Sequence, residues 1–211
     1  MAAFLTLAAG LSGMAFGALR RPRLSELQLS GDPMRVKGVV QGDPQRVRRL
    51  EQQLLTDYGF IACYWLTFVG LAIAIARRGG AAYDVAGLLA VVATSATALL
   101  DVVENVRTRG LLALDRPSDQ VRRQPVVHLR RTALAKWAAS AVTLALLAVL
   151  FLPGHGLVLV LGAVFLAVAG LGLLAVLWNR LIALYLLGFL VLGGVVAVAF
   201  TIVPRDVLDR L

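Results

Sequence analysis

The stretch Thr94–Asn105, TSATALLDVVEN, decides how this chain is read, because an apolar segment long enough to enter a membrane ends there in two carboxylates and an amide. Residues three and four apart share a helix face, so Thr94, Thr97, Asp101 and then Glu104 or Asn105 form a polar stripe on a helix otherwise built of Ala, Val and Leu. The stripe is expected to face protein and not lipid. A charged side chain costs roughly 2.5–3.5 kcal/mol at the centre of a membrane helix and less toward its ends, so these carboxylates need a cationic partner, water or a proton. Two readings follow. In one, Asp101 and Glu104 pair with arginines at the membrane surface while Asn105 bonds the frayed carbonyls of the helix end. In the other, the group is a site for a cation, a proton or a lipid headgroup.

The composition agrees with a membrane setting. Of the 211 residues, 59% are hydrophobic and only 16% are charged, where a soluble domain carries about 25% charge. A formal net charge of +9 could speak for nucleic acid, but the arginines stand in blocks beside apolar spans. That placement reads as topology and contact with anionic lipid, with no nucleic-acid partner. The single cysteine, Cys63, excludes an internal disulfide and a multi-cysteine metal site.

Six segments are long enough to cross about 30 Å of hydrocarbon at about 1.5 Å per residue. They run from Ala2 to Leu19, Gly59 to Ala76, Val85 to Asn105, Leu134 to Leu152, Gly156 to Trp178 and Leu181 to Val203. The first has no basic residues ahead of it; Arg20, Arg21 and Arg23 follow its apolar run. It therefore reads as a retained helix and not as a signal peptide. The last two form one apolar run broken only by Trp178, Asn179 and Arg180, where the chain must reverse. Seventeen of the Lys and Arg residues fall on one side of this arrangement and four on the other. The excess places both termini outside and the long connections in the cytoplasm.

The expected fold is an all-α, polytopic integral membrane bundle of six transmembrane helices. Residues 1–152 form a four-helix membrane core with two basic cytoplasmic connections, and residues 153–211 form a C-terminal transmembrane hairpin. In the first connection GDPMRV at Gly31 is echoed by GDPQRV at Gly42. Each Asp is suited to cap a helix and each Pro to its first turn. The second start is expected to run from Asp43 directly into the second span. The short connection from Arg77 to Asp84 makes spans two and three an antiparallel hairpin, which brings Asp57 to the level of Asp101 and Glu104.

The candidate polar cluster is therefore Asp57, Tyr64, Thr97, Asp101, Glu104 and Asn105. The third region, residues 107–137, is broken by Pro117 and Pro125 with a cap expected at Ser118. Its Arg122, Arg123, Arg130, Arg131 and Lys136 are candidates for anionic-lipid or partner contact. Tyr58, Trp65, Trp137 and Trp178 are ordinary interfacial aromatics. His128 and His155 are each expected at the surface and not as ligands, and no motif names a cofactor. The ladder Ala9, Gly13, Gly17 and the glycines of the last span, Gly188, Gly193 and Gly194, permit close helix contact.

Three local patterns together resemble a functionally uncharacterised family of small bacterial integral membrane proteins: DYGFIACY from Asp57 to Tyr64, the D-x-x-E-N ending at Asp101, Glu104 and Asn105, and the Lys136–Trp137 pair that opens a later span. The resemblance covers about Ala2 to Leu152, with the last two spans as an addition. It implies a multi-pass protein of the bacterial inner (cytoplasmic) membrane and brings no activity with it.

No Ser, His and acid set, P-loop or dinucleotide fingerprint is present in the sequence. Asp57, Asp101 and Glu104 could hold Mg2+ for metal-dependent chemistry on a lipid headgroup, with arginines on the phosphate. The polar stripe could instead be half of a proton or cation path, although no other span is expected to supply a matching stripe. The reading that fits most features is a non-catalytic accessory or binding subunit of a larger membrane complex, in which Asp101, Glu104 and Asn105 pin the hairpin to an arginine of the basic loops.

Overall fold

The computed structural model describes residues 27–40, 44–77, 80–113, 123–178 and 181–202. Among these, every regular element is helical: α1 (Pro33–Val40), α2 (Pro44–Ala76), α3 (Ala81–Leu112), α4 (Arg123–Phe151), α5 (Leu157–Leu177) and α6 (Ile182–Ile202). Four helices, those containing Gln45–Ala76, Ala81–Leu112, Gln124–Phe151 and Val158–Leu177, are long and apolar enough to cross a membrane, which points to a membrane protein. The expected first span at 2–19, Asp43, Ser118, Arg122 and both termini lie outside the described residues. In α6 the apolar stretch is the shorter Leu184–Gly194.

The first GDP motif caps a helix as its chemistry requires. Asp32 Oδ1 accepts a hydrogen bond from the Met34 amide at 2.9 Å, and Pro33 takes the first helical position of α1, where its missing N–H costs nothing. At the second copy Pro44 likewise begins α2, which runs without interruption through the basic RVRR stretch into the apolar span.

Helices α2, α3 and α4 have 33, 32 and 29 residues. At about 1.5 Å per residue each is some 13–20 Å longer than a hydrocarbon layer of about 30 Å. The excess lies at one end of all three, where their sequences are basic: the start of α2, the end of α3 and the start of α4. There a small second core forms, with Leu27 and Val36 packed on Leu50, Leu54, Leu111, Leu112, Val126 and Leu129. The three spans therefore continue beyond their apolar sections into a helical cap closed by α1. The main core lies above it, built on Phe68, Leu71, Leu144, Leu147, Phe165 and Tyr185.

The orientation of α3 is that of a helix facing lipid on its outer side. Its buried residues include Gly87, Ala90, Thr94, Thr97, Asp101, Glu104, Asn105 and Thr108, at spacings of three and four, whereas Leu88, Val92 and Leu99 stand exposed. Polar residues inside and apolar residues outside is the arrangement that hydrocarbon favours and water penalises. The threonines satisfy themselves: Thr94, Thr97 and Thr108 each donate to the carbonyl four residues earlier at 2.7–2.9 Å. Asp101, Glu104 and Asn105 cannot do so and must find partners on other helices.

Successive helices pack side by side, each mainly on its neighbours in sequence. Close approach of α2 and α3 depends on Gly87, where a Cβ would lie 2.5 Å from that of Ala76. On α5, a Cβ at Gly172 would fall 2.8 Å from the Tyr185 ring of α6 and 3.1 Å from Ala141 of α4. The pairs Gly172–Tyr185 and Gly188–Val168 run in opposite senses along the two chains, so the chain reverses between α5 and α6, as the polar interruption at Trp178 requires. Gly87→Val is expected to destabilise the α2–α3 contact by about 1–3 kcal/mol through overpacking. A lower midpoint of thermal unfolding in detergent, with Gly80→Val at an open position as control, is the measurement that checks it.

Candidate functional site

The polar groups of α2, α3 and α4 converge on Lys136. Its ammonium lies 2.9 Å from Asp101 Oδ1 and also forms an ion pair with Glu104 Oε2. Asp101 and Glu104 are one helical turn apart on α3, so both carboxylates reach one cation from the facing helix. The second oxygen of Asp101 accepts the Tyr64 hydroxyl of α2 at 2.7 Å. One turn toward the basic end, the Asn105 amide donates to Asp57 Oδ2 at 2.7 Å. Glu104 and Asn105 are fully buried, and Asp101 is 6% exposed.

Asp57, Tyr64, Asp101, Glu104 and Asn105 are thus gathered at one place, as the hairpin argument expects. Thr97 lies one turn above them, its hydroxyl 3.3 Å from that of Thr143 on α4. Two expectations need correction. Lys136, grouped in the sequence with the arginines that contact lipid, is 8% exposed and points inward. Among the described residues it, and not an arginine, is the ion-pair partner of Asp101 and Glu104. The expected absence of a matching stripe also fails. Thr132, Lys136, Ser140 and Thr143 are all buried along one face of α4, at spacings of four, four and three.

The two stripes meet as an antiparallel polar seam. Thr97 faces Thr143, Asp101 and Glu104 face Lys136, and Arg107 reaches the Thr132 hydroxyl and the His128 carbonyl, the latter at 3.2 Å. The signal that could have located it was present in the spacing 132, 136, 140, 143. It was obscured because Lys136 sits at the boundary where basic residues ordinarily mark topology. Ser140 extends the network to α6, its hydroxyl 2.9 Å from that of Tyr185, while the Tyr185 ring meets Trp137 edge-on with centroids 5.4 Å apart. Lys136 also lies 4.7 Å from the centroid of the Trp137 ring.

From Ala81 to Asp101 is 20 residues, roughly 30 Å of helix rise. If the outer helix ends lie at one face of the hydrocarbon, the cluster lies at the other, directly above the basic cap. Toward the outer half the seam stops. Past Thr94 and Thr143, α2, α3 and α4 bury Leu71, Ala72, Ala90, Leu144, Leu147 and Ala148.

The other candidates are placed as follows. Arg131 and Arg130 are exposed at the basic end of α4, and the Arg130 stem lies across Gly31, whose φ is +59°. Arg123 begins α4. His128 and His155 are exposed. Among the described residues no three of His, Cys, Asp and Glu are placed as a group that could hold a metal ion, Asp57, Asp101 and Glu104 included. The chain matches no family model, no curated protein and no solved structure.

The ties differ in weight. Removing one member of a buried ion pair leaves its partner charged and unpaired, at a cost of about 3–5 kcal/mol, whereas hydrogen bonds between membrane helices average about 0.6 kcal/mol and reach about 1.7. Lys136→Met is therefore expected to lose most of the folded protein, and Tyr64→Phe to lose about 1–2 kcal/mol, near the upper limit because the acceptor is a carboxylate. Unfolding of the two variants by denaturant in mixed micelles checks the order. Equal effects would mean that the ion pair contributes no more than the phenol.

Proposed function

We propose that this protein is a non-catalytic accessory or binding subunit of a larger membrane assembly, embedded in the inner membrane of a bacterium. The observation that carries this reading is the way the polar groups are used. The hydrogen bonds and ion pairs of the cluster connect α2 to α3 and α3 to α4, and Ser140 connects α4 to α6. Such ties fix the relative positions of four helices. They bring a polar seam only part of the way through the bundle, which speaks for a structural role over a path across the membrane.

Under this reading the chain crosses six times, with both termini outside and the basic cap in the cytoplasm. The positive-inside excess and the extension of α2, α3 and α4 at the basic end support that orientation. The exposed Arg131 and Arg130, together with Arg123 and Arg122, would meet anionic headgroups, where each cation near the surface contributes about 1 kcal/mol. The exposed apolar face of α3, from Val85 to Val106, is available to lipid and to the helices of other subunits.

Native mass spectrometry of the protein extracted gently from its own membrane is the test. A reproducible complex containing other polypeptides is the expected result. A monomer or a homo-oligomer alone, carrying lipid and nothing else, would overturn the accessory-subunit reading.

A further inference from the structure

The cluster at the base of the spans is short of positive charge. Three carboxyl groups, Asp57, Asp101 and Glu104, surround one ammonium, Lys136, and all are placed between packed helices. The oxygens are not equally provided for. Asp101 has both of its oxygens engaged, one by Lys136 and one by the Tyr64 hydroxyl. Asp57 accepts the Asn105 amide and is only half-buried. Glu104 is fully buried, and its Oε1 has no hydrogen-bond partner among the described residues.

A second and independent observation comes from the neighbouring amide. Asn105 is also fully buried, and its Oδ1 has no donor among the described residues, although its nitrogen is engaged with Asp57. A buried acceptor without a donor is rare in a folded protein and asks for a missing hydrogen. Two such acceptors stand on consecutive residues beside an unbalanced negative charge.

We infer that the cluster is a proton-binding site, with one exchangeable proton seated on Glu104 Oε1 within the setting made by Asn105, Asp101, Asp57 and Lys136. A proton there neutralises a buried carboxylate with an unpaired oxygen and offsets one of the unbalanced charges without requiring space for an ion. The groups that face it are Asp57 and Tyr64 from α2, Asp101 from α3 and Lys136 from α4, with Tyr185 of α6 joined through Ser140. On release of the proton both oxygens of Glu104 become acceptors again and the negative charge rises opposite Lys136. The α3–α4 contact is therefore sensitive to the state of this one group. The inference is separate from the accessory-subunit reading: a protein found alone in its membrane would leave it standing.

The chain has three glutamates, Glu26, Glu51 and Glu104, so a direct measurement is available. In the variant Glu26→Gln/Glu51→Gln the cluster is untouched and Glu104 is the sole glutamate. With 13C in the side-chain carboxyl of glutamate, the full chain in lipid nanodiscs yields one resonance by solid-state NMR. At neutral pH it is expected at the position of the protonated acid, moving to the carboxylate position as the pH is raised. Asp57→Asn, which removes a neighbouring negative charge, should displace the midpoint of that change. A resonance at the carboxylate position at neutral pH, or a midpoint indifferent to Asp57→Asn, would overturn the proposal.

Discussion

The Lys136 ammonium held between the buried side chains of Asp101 and Glu104 is the constraint on which the rest of this structure depends. Away from bulk water a charge is poorly screened, so Lys136, Asp101 and Glu104 must remain together for any of them to remain inside. Their pairing fixes the rotation of α3 against α4. Once α3 is fixed, Asp101 can meet the Tyr64 hydroxyl and Asn105 can meet Asp57, and these two bonds set the height of α2. The rotation also determines which residues face outward, and those are Val, Leu and Ala.

Polar ties of this kind give position more than they give energy. In a membrane, helices gain little from hiding apolar surface, since lipid is as apolar as a neighbouring side chain, and packing together with a few polar contacts selects the arrangement. The chain uses both means. Gly87 and Gly172 allow close approach where backbones or rings meet, while the Phe68, Phe165, Phe189 and Tyr185 rings fill the space among α2, α5 and α6. The cap at the basic end is organised differently. Its core of Leu27, Val36, Leu50, Leu54 and Leu129 lies among exposed arginines, as expected of a small domain built for water. The three long helices join the two regions without a break, so the cluster stands between the apolar core and the basic cap.

The element positions were readable from residue types and their periods. Apolar runs of sufficient length located the four helices long and apolar enough to cross a membrane, the Gly-Asp-Pro motif located the start of α1, and the polar interruption at Trp178 located the reversal between α5 and α6. The grouping of Asp57 with Asp101 and Glu104 was also readable, because a short connection forces two helices to be antiparallel and thereby matches their levels. Lys136 was not. A lysine at the start of an apolar run has the same local appearance whether it extends to lipid phosphates or turns into the bundle, and only the rotation of α4 distinguishes the two.

By itself, then, the sequence determined that the chain is helical and apolar enough for a membrane, which end of it is basic, and which carboxylates share a level. These depend on composition and on spacing along the chain, which are local properties. The tertiary structure alone decided that Thr132, Lys136, Ser140 and Thr143 form a face opposed to the stripe on α3, that Tyr185 is joined to the network, and that the basic ends of three helices enclose a second core. Each of these depends on the relative rotation of helices distant in sequence. That rotation follows from bringing Lys136 to Asp101 and Glu104 across two helices, which no single segment contains.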